Sequence, residues 1–514
     1  MQTEKDEMGV EQIDKLEIKT GKKLYDYQHD AIDRILETLE SKDHKVNLLY
    51  QLPTGGGKTV IFSEFARHYI KDTGKKVLIL THRIELCGQT SAMLTEFGVN
   101  NKIINSKVKE LPDQADYDCF VAMVETLNNR LMEEDFKLDN IGLVIIDEAH
   151  YNSFRKLFKH FEFAAILGVT ATPLSSNVKL PMKDNYDQLI IGESIGSLID
   201  KKFLAKANTT CFDVNLNSLT IGINGDYTVS SSERLYSNFL MQEKLMEAYE
   251  EKSKGKKTLI FNSGIRTSEA VYETFTEAGY DIRHLDNKHN EKERREILDW
   301  FRNTPDAILT SVGILTTGFD EPSIESIILN RATKSLTLYH QMIGRGSRIL
   351  GNKTEFTVID LGNNAARFGM WDSPIDWRDI FKYPNQFLET VPSDDQIQRN
   401  FTYKMPDELR QRFKNSDEVT FDIKAEYKVV LSEKLKPRVA LDRSIEQHVQ
   451  MCLDNAEDVF DALELAGLLV GDIESRVRHY SYCINGTQNY TQWLEEDYIR
   501  KMKATIREKK PLPV

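Results

Sequence analysis

The stretch Asn47-Leu-Leu-Tyr-Gln-Leu-Pro-Thr-Gly-Gly-Gly-Lys-Thr59 decides the fold of this chain. Its apolar start predicts a buried parallel strand, and the apolar-periodic segment that follows Thr59 predicts a helix. Glycines between a strand and a helix let backbone N–H groups converge on a phosphate, and the helix N-terminus adds a positive dipole. The match covers the Gly-Lys-Thr core only, because Leu52 stands where the strict P-loop pattern has glycine. The plainer interpretation is a glycine-rich turn that precedes a helix.

The residues of this loop have distinct expected roles. A lysine after the glycines reaches the β- and γ-phosphates of a nucleotide, and the next hydroxyl ligates Mg²⁺. The pattern therefore predicts ATP and Mg²⁺ as cofactors. The expected contacts are Thr54, Gly55, Gly56, Gly57 and Lys58 for the nucleotide and Thr59 for Mg²⁺.

Composition indicates an ordinary globular protein of several domains. The 514 residues are 40% hydrophobic and 29% charged. No uncharged run approaches the ~18 residues of a membrane span, and the N-terminal stretch lacks the apolar block of a signal peptide. The five cysteines lie far apart without a Cys-x-x-Cys pair, which argues against disulfides and a cysteine zinc site and favours a reducing cytoplasm.

Charge gives a mixed indication about partners. The net charge of −13 argues mildly against a nucleic-acid partner, because nucleic-acid binding is largely phosphate neutralisation. The local distribution decides, however, and basic residues do cluster near the motifs. These clusters are His82 with Arg83, Arg331 with Lys334, and Arg345 with Arg348.

Apolar runs that alternate with helical segments predict two parallel sheets covered on both faces. We expect strands over 47–50, 76–81, 118–123, 141–146 and 164–170, and a second set over 258–261, 281–284, 307–310, 326–329 and 356–360. The predicted fold is α/β, with two tandem parallel-sheet domains and a mostly helical C-terminal extension. The expected segments are a polar leader (1–21), domain 1 (22–204), a linker with domain 2 (205–365) and an unassigned C-terminal domain (366–514). The aromatics between Trp371 and Phe387 are assigned to the core of this last domain rather than to a base-stacking platform.

Two carboxylates stand at the end of a predicted buried strand, in Leu143-Val-Ile-Ile-Asp-Glu-Ala-His150. Ligands of open α/β sheets bind at such strand ends. Asp147 suits Mg²⁺ coordination, since hard cations take carboxylate oxygens, and Glu148 suits activation of an attacking water. The alternative is an ordinary acidic turn at a strand end.

A second cluster, Gln341-Met-Ile-Gly-Arg-Gly-Ser-Arg348, carries two arginines three residues apart. A guanidinium is permanently charged and binds phosphate oxygens in a forked geometry. An arginine supplied to a γ-phosphate from another domain accelerates hydrolysis about 10³–10⁵-fold. We therefore expect Arg345 and Arg348, with Gln341, to complete an ATP site from domain 2.

Gly-Lys-Thr, Asp-Glu-Ala-His and Gln-x-x-Gly-Arg-x-x-Arg in this order resemble the motifs of superfamily 2 helicases and translocases. The resemblance covers roughly residues 22–365 and implies that the two parallel-sheet domains are RecA-like. It also implies a nucleic-acid-dependent ATPase, a DEAD/DEAH-box hydrolase that moves on single-stranded, forked or duplex DNA. Further motifs that fit are Tyr27-Gln28, Thr81-His-Arg-Ile-Glu-Leu86, Thr170-Ala-Thr-Pro173, Phe261-Asn262 and Leu315-Thr-Thr-Gly-Phe-Asp-Glu-Pro322.

The resemblance also implies roles for individual residues outside the loop and the carboxylate pair. Gln28 would contact adenine, and Gly318 and Asp320 would contact the nucleotide from domain 2. His150, Thr170 and Thr172 would couple hydrolysis to domain movement. The implied nucleic-acid contacts are His82, Arg83, Thr126, Asn262 and Thr317.

Several alternatives stay open at this stage. The stretch from Thr316 to Pro322, with Ser335 to Gly346, resembles the RadD/XPB-like branch, although the Cys-rich zinc tail of RadD-type proteins has no counterpart here. An RNA helicase and a duplex translocase of the restriction or remodelling type remain compatible with the motifs. A nucleotide-gated binding module is disfavoured, because every catalytic side chain is present. A P-loop kinase or GTPase leaves the second lobe unexplained.

Overall fold

The computed structural model describes residues 23–40, 45–133, 136–316, 318–400, 403, 405–416, 418–484, 486 and 488–510. The chain forms two compact units, which divide between Val391 and Pro392. The first unit contains two parallel sheets, and the second unit is helical. The predicted fold class is therefore confirmed.

The first sheet has seven parallel strands in the order β3-β4-β2-β5-β6-β1-β7. Its strands are β1 (Asn47–Gln51), β2 (Lys76–Thr81), β3 (Asn101–Ile104), β4 (Cys119–Met123), β5 (Ile141–Asp147), β6 (Ala165–Thr170) and β7 (Gln188–Ile191). The five predicted strands are present, and the sequence prediction missed β3 and β7. Both are short strands at opposite edges of the sheet, where only part of each strand is buried.

Helices connect these strands, and they pack on the sheet because each has an apolar face turned toward it. They are α1 (Asp26–Glu40), α2 (Lys58–Thr73), α3 (Ile84–Glu96), α4 (Val124–Arg130) and α5 (Ile195–Asp200). Three 3₁₀ segments, Gln114–Asp116, Ser153–His160 and Met182–Asp184, complete this first lobe. Helix α1, for example, buries Tyr27, Gln28, Ala31, Ile32 and Ile35.

The second sheet has six parallel strands in the order β10-β11-β9-β12-β13-β8. Its strands are β8 (Lys206–Cys211), β9 (Thr258–Asn262), β10 (Ile282–Leu285), β11 (Ile308–Val312), β12 (Ser326–Asn330) and β13 (Glu355–Asp360). The sequence prediction missed β8, a polar edge strand without a fully buried residue, in the stretch interpreted as linker. This second lobe also holds α6 (Val229–Tyr236), α7 (Phe239–Lys252), α8 (Ile265–Glu277), α9 (Glu291–Asn303), the 3₁₀ segment Ile314–Thr316 and α10 (Leu336–Ile343).

One apolar cluster runs through both lobes, from Leu52 in the first to Met342 in the second. Trp371, Trp377 and Ile380 belong to this cluster, and Phe381 packs on the first sheet. The aromatics were expected in the core of the C-terminal domain, but they lie in the first unit. Their segment carries α11 (Asn364–Phe368), α12 (Trp377–Lys382) and α13 (Pro384–Thr390).

The second unit buries a separate apolar core of helices. Its helices are α14 (Asp394–Asn400), α15 (Asp407–Arg412), α16 (Ile423–Ser432), α17 (Arg438–Asn455), α18 (Val459–Leu468), α19 (Val470–Cys483) and α20 (Gln488–Lys509). A buried polar chain crosses this core, because His448 Nε2 lies 2.9 Å from Asp472 Oδ2 and its Nδ1 lies 2.9 Å from the Tyr498 hydroxyl. Across the parts of both units that the structure describes, none of the helices has the length and apolar composition needed to cross a bilayer.

Candidate ATP site and nucleic-acid interface

The loop between β1 and α2 lies in contact with the second lobe. A Cβ atom on Gly344 would stand 2.7 Å from Thr54 Cβ, and one on Gly55 would stand 2.9 Å from Ser347 Oγ. Contacts this short leave no room for a side chain at either position. The second lobe therefore meets the predicted phosphate loop directly, through the end of the helix that carries Gln341.

Two glycines give the loop its shape. Gly55 and Gly57 have φ angles of +86° and +83°, a backbone conformation that side chains disfavour. Gly57 also lies against Gln28, since a Cβ there would stand 2.6 Å from Gln28 Nε2. The Tyr27 hydroxyl donates a 2.9 Å hydrogen bond to the carbonyl of Gly56. Helix α1 thus holds the loop from its outer side, and Gln28 lies beside it.

The Lys58 ammonium turns toward its own loop. Its Nζ donates to the carbonyls of Leu52 and Pro53 at 3.3 Å and 3.5 Å. Burial lowers the pKa of Lys58, and the negative charges of Glu148 and Asp147 oppose that shift. The ammonium of Lys58 therefore lies close enough to both predicted catalytic carboxylates for their charges to interact.

The two carboxylates follow β5 as predicted. Asp147 Oδ1 accepts a 3.0 Å hydrogen bond from the backbone N–H of Glu148, whose φ is +52°. A residue other than glycine held in this left-handed region costs about 1–3 kcal/mol, and such strain clusters at functional sites. Burial and the charge of Glu148 raise the pKa of Asp147. Burial also opposes ionisation of Glu148, but the charges of Lys58 and His150 outweigh it and lower the pKa of Glu148.

A chain of polar contacts runs from Glu148 into the second lobe. Glu148 Oε2 lies 3.3 Å from His150 Nδ1, which lies 3.0 Å from Thr170 Oγ1. Thr170 Oγ1 donates to the carbonyl of Thr172, and Thr172 Oγ1 donates at 2.8 Å to Thr337 Oγ1 on α10. The three predicted coupling residues thus form one continuous path between a predicted catalytic carboxylate and the other lobe. Their coupling role stays a prediction.

Arg345 is buried at the end of α10, and backbone carbonyls hold its guanidinium. It donates to the carbonyl of Thr316 through Nε at 3.1 Å and Nη2 at 2.6 Å, and to that of Phe319 through Nη1 at 2.7 Å. Burial, together with the charge of Arg348, lowers the pKa of Arg345 to about 9, and the charge of Glu148 opposes the shift. Three of its five N–H groups are engaged, so two remain for a phosphate.

The other predicted nucleotide contacts of the second lobe lie near Arg345. Arg348 Nε lies 2.6 Å from Asp320 Oδ1, in an ion pair. The carbonyl of Gly318 accepts a 2.8 Å hydrogen bond from Gln89 Nε2 of the first lobe. Gln341 is almost fully buried on α10. The charges of Arg345 and Arg348 both act on Lys58, so the two lobes bring the predicted catalytic side chains together.

Buried polar atoms without partners indicate where a ligand fits. Within the described residues, the side-chain atoms Thr54 Oγ1, Glu148 Oε2, Gln341 Nε2 and Arg348 Nη1 are buried and have no hydrogen-bond partner. Two are donors from the second lobe that suit phosphate oxygens, and the acceptor on Glu148 suits a water molecule. Such atoms are costly to bury, and a bound nucleotide would satisfy them. These groups are of the kinds that would bind ATP, and Thr59 and Asp147 are the residues that would supply oxygen ligands to Mg²⁺.

The first two predicted nucleic-acid contacts, His82 and Arg83, are partly buried. His82 Nδ1 lies 3.2 Å from Ser153 Oγ, its ring packs on Tyr151 at 4.5 Å, and burial lowers its pKa to about 4. Arg83 donates to the carbonyls of Ile314 at 2.7 Å and Gly313 at 3.1 Å in the second lobe. In this structure Arg83 thus joins the lobes, and neither residue presents a free cation to a phosphate.

The remaining predicted nucleic-acid contacts have different surroundings. Thr126 is partly exposed on α4. Asn262 has no exposed surface, because its Nδ2 donates to Thr310 Oγ1 at 2.8 Å and its Oδ1 accepts from Asn330 at 2.8 Å. Direct contact through the Asn262 side chain would require this network to open. Thr317 lies outside the described residues. The nucleic-acid roles of all five positions stay predictions.

Sequence reasoning missed two residues of the cleft. Thr337 receives the hydrogen bond that ends the polar path, and Ser347 packs against Gly55. Thr337 lies one helical turn before Gln341 on the same face of the helix, and this spacing could have indicated that Thr337 also faces the site. Ser347 lies inside the motif itself, between the two arginines, where no pattern marks it.

Two protein families match the chain. The family described as "Type III restriction enzyme, res subunit" matches residues 21–175, and the "Helicase conserved C-terminal domain" matches residues 240–350. The first range contains the phosphate loop and the carboxylate pair, and the second contains Gln341, Arg345 and Arg348. The chain belongs to the superfamily 2 helicases. The resemblance to this superfamily is confirmed, whereas the RadD/XPB-like branch stays a prediction.

Two relatives illustrate the membership. "Putative ATP-dependent helicase IRC3" of Saccharomyces cerevisiae is 31% identical over 356 residues, which cover 66% of this chain and 51% of that protein. The "51.5 kDa protein" of a Lactococcus phage (isolate 7-9) is 31% identical over 338 residues, which cover 65% of this chain and 70% of that protein. The superfamily 2 helicase chain described here thus spans about half the length of its yeast relative.

A solved structure shares the fold. "The fragment structure of a putative HsdR subunit of a type I restriction enzyme from Vibrio vulnificus YJ016" superposes with a TM-score of 0.52 and 23% identity, over 68% of this chain and 66% of that chain. At this identity the likeness supports the helicase fold alone.

Proposed function

We propose that this superfamily 2 helicase is a nucleic-acid-stimulated ATPase that couples ATP hydrolysis to movement on DNA. ATP·Mg²⁺ binds between the two lobes of the first unit, with residues 54–59 around the phosphates. Asp147 and Thr59 hold the metal ion, and Glu148 positions the attacking water. Gln341, Arg345 and Arg348 complete the site from the second lobe, and Gly318 and Asp320 adjoin the ribose.

The observation that carries this proposal is the polar path from Glu148 through His150, Thr170 and Thr172 to Thr337. Loss of the γ-phosphate changes the charge next to Glu148, whose Oε2 lies 3.3 Å from His150 Nδ1 without a hydrogen bond. The hydrogen bonds from His150 through Thr170 and Thr172 then carry the change to Thr337. The path ends on the helix that carries Gln341 and leads to Arg345. Hydrolysis thereby acts on the contact between the lobes, which is the movement that a motor needs.

The relatives support DNA as the track. Restriction enzymes act on DNA, and the family that matches residues 21–175 carries a restriction-enzyme name. The free cysteines of the described chain are compatible with a reducing compartment, and we propose the cytoplasm. Residues 22–204 and 205–365 are the proposed ATP-binding and helicase C-terminal domains, and the helical second unit has no assigned role.

The test is ATP turnover by the full chain with single-stranded DNA, duplex DNA, forked DNA and matched RNA. We expect a DNA to stimulate turnover more than its matched RNA does. Greater stimulation by RNA would assign the protein to RNA, and equal turnover with and without every nucleic acid would overturn the proposal. The matched control is Glu148→Gln, which should bind ATP and lose turnover on all four substrates.

Movement and strand separation are distinguished by two displacement assays. A translocase that does not unwind releases a triplex-forming strand from a duplex but leaves a duplex strand paired. A helicase releases the paired strand from a fork. Failure of both assays, in a preparation with DNA-stimulated turnover, would remove the motor and leave an ATPase.

A further inference from the structure

Three side chains of the kinds that bind transition metals meet in the second lobe, outside the ATP cleft. His284 lies in β10, Asp286 follows the end of that strand, and His289 precedes α9. Their candidate ligand atoms all lie within 4.8 Å of one another. In the part of the chain that the structure describes, no other trio of His, Cys, Asp or Glu side chains converges in this way. The motifs of the ATP site do not use these residues.

Asp286 is the centre of the group, and only 2% of its side chain is exposed. Its Oδ1 accepts from the backbone N–H of Lys288 at 2.9 Å and lies 2.8 Å from His289 Nδ1. Its Oδ2 faces His284 Nε2 at 3.5 Å. Within the described structure that Nε2 atom is buried and forms no hydrogen bond. A buried ring nitrogen aimed at a carboxylate without a hydrogen bond is a costly arrangement unless a further group lies between them.

The other nitrogen of the His284 ring is held in place. Nδ1 lies 2.8 Å from Ser268 Oγ, which lies 2.9 Å from Thr310 Oγ1. Metal-binding histidines are oriented in this manner, by a polar partner on the ring nitrogen that does not bind the metal. Ser268 therefore fixes which His284 nitrogen faces Asp286.

We propose that His284, Asp286 and His289 bind one zinc-type divalent cation. Two imidazoles and one carboxylate match the ligands of Zn²⁺, whereas Mg²⁺ and Ca²⁺ prefer all-oxygen sites. Bonds of about 2.0–2.2 Å in a tetrahedral site place the ligand atoms roughly 3.3 Å apart. The His289 side chain is 25% exposed and lies in a turn, so its Nδ1, now 2.8 Å from Asp286 Oδ1, can shift to reach this spacing. A water molecule completes the fourth position.

This site would tie three elements of the second lobe together. The cation joins β10 to the turn before α9, and Ser268 connects His284 to α8. Thr310 extends the same hydrogen-bonded chain to Asn262. Metal binding is thus expected to stabilise the strand ends next to a predicted nucleic-acid contact, without any requirement for ATP.

The experiment uses the full chain, without an affinity tag, stripped of metal by a chelator and titrated with Co²⁺ alone. Cobalt in a four-coordinate site gives visible absorption bands, and Zn²⁺ displaces it. We expect one equivalent of Co²⁺ per chain and loss of these bands on addition of Zn²⁺. His289→Gln should abolish the bands, and the matched control, His160→Gln on an exposed histidine, should keep them.

A second measurement separates metal binding from folding. Zn²⁺ should raise the Tm of the wild-type chain, since a ligand that binds only the folded state stabilises it. His289→Gln should keep the metal-free Tm of the wild type and lose the metal-dependent rise. The proposal fails if wild type and His289→Gln take up Co²⁺ equally, or if neither shows a band. Because the assay contains neither ATP nor nucleic acid, its outcome is independent of the proposed motor.

Discussion

The guanidinium of Arg83 in the first lobe donates a 2.7 Å hydrogen bond to the backbone carbonyl of Ile314 in the second. The nucleic-acid role of Arg83 stays a prediction, and in this structure the residue forms a direct link between the lobes. A second hydrogen bond, to the carbonyl of Gly313, fixes the plane of the guanidinium. Separation of the lobes would therefore break both hydrogen bonds of Arg83.

Arg83→Ala should weaken DNA-stimulated ATP turnover. A hydrogen bond from a charged group contributes about 1.5–3 kcal/mol, so we expect a drop of roughly 10–100-fold in turnover if lobe closure depends on it. The matched control is Arg155→Ala, because Arg155 donates to the carbonyls of Leu180 and Pro181 within the first lobe. Steady-state turnover of both variants checks this. Equal losses would assign the effect to stability rather than to the lobe contact.

Glu148→Gln should retain ATP binding and lose hydrolysis by about 10²–10⁴-fold, the usual contribution of a general base. The amide has nearly the same shape but cannot accept a proton. Binding of a fluorescent ATP analogue and single-turnover hydrolysis measure the two effects separately. Glu125→Gln, at an exposed carboxylate that pairs with Lys156, is the control and should behave as the wild type. Undiminished hydrolysis in Glu148→Gln would refute the assigned role.

Arg345→Ala should lower stimulated turnover by about 10³–10⁵-fold, the effect of removing an arginine finger. The structure adds a local cost, because the carbonyls of Thr316 and Phe319 lose their donor. Arg367→Ala is the control, since Arg367 is also a buried arginine that donates to a backbone carbonyl of the second lobe. Thermal unfolding should show both variants destabilised. Only Arg345→Ala should lose turnover, and a wild-type rate in that variant would exclude the finger role.

The buried His340 predicts a loss of stability on mild acidification. Burial lowers its pKa from 6.5 to about 4, so the folded chain holds the ring neutral while the unfolded chain takes up a proton below pH 6.5. The unfolded state then binds more protons, and stability falls as the pH drops from 6.5 to 4. The shift corresponds to at most about 3 kcal/mol.

Thermal unfolding of the wild type and of His340→Gln at pH 7 and pH 5 tests this effect. The Tm of the wild type should fall more than that of the variant, which lacks the titrating ring. His160→Gln, at an exposed histidine, should follow the wild type. Parallel changes in Tm for the wild type and His340→Gln would contradict the prediction.

Much of the fold could be predicted because buried parallel strands are continuous apolar runs. Nine of the ten predicted strands carry such runs, and the exception is the strand over 281–284. The missed strands are edge strands that carry polar residues, such as Lys206 to Cys211, whose pairing depends on a neighbour distant in sequence. No local pattern specifies that partner. The aromatic segment near Trp371 was misplaced for the same reason, since hydrophobicity marks burial but not the core in which a residue is buried.

The candidate site likewise contains residues that the sequence could predict and contacts that it could not. Lys58, Asp147, Glu148 and Arg345 follow from motifs whose chemistry requires those residue types. The sequence could not show that the Asn262 side chain has no exposed surface or that Arg83 faces the second lobe. The burial of Asn262 depends on neighbouring strands of the second sheet, which are distant in sequence. The direction of Arg83 depends on how the two lobes pack together. The trio around Asp286 was not predicted, because the spacing of cysteines gives no indication of a site made of histidine and carboxylate side chains.

The close contact between Gly344 and Thr54 has a kinetic consequence. The second lobe covers Thr54 and Gly55. A nucleotide bound in the proposed site between the two lobes can therefore enter or leave only while the lobes are apart. The apparent Kd for ATP then includes the fraction of molecules that are open at any moment. Exchange of product for fresh nucleotide is accordingly governed by a conformational equilibrium as well as by the fit of the pocket.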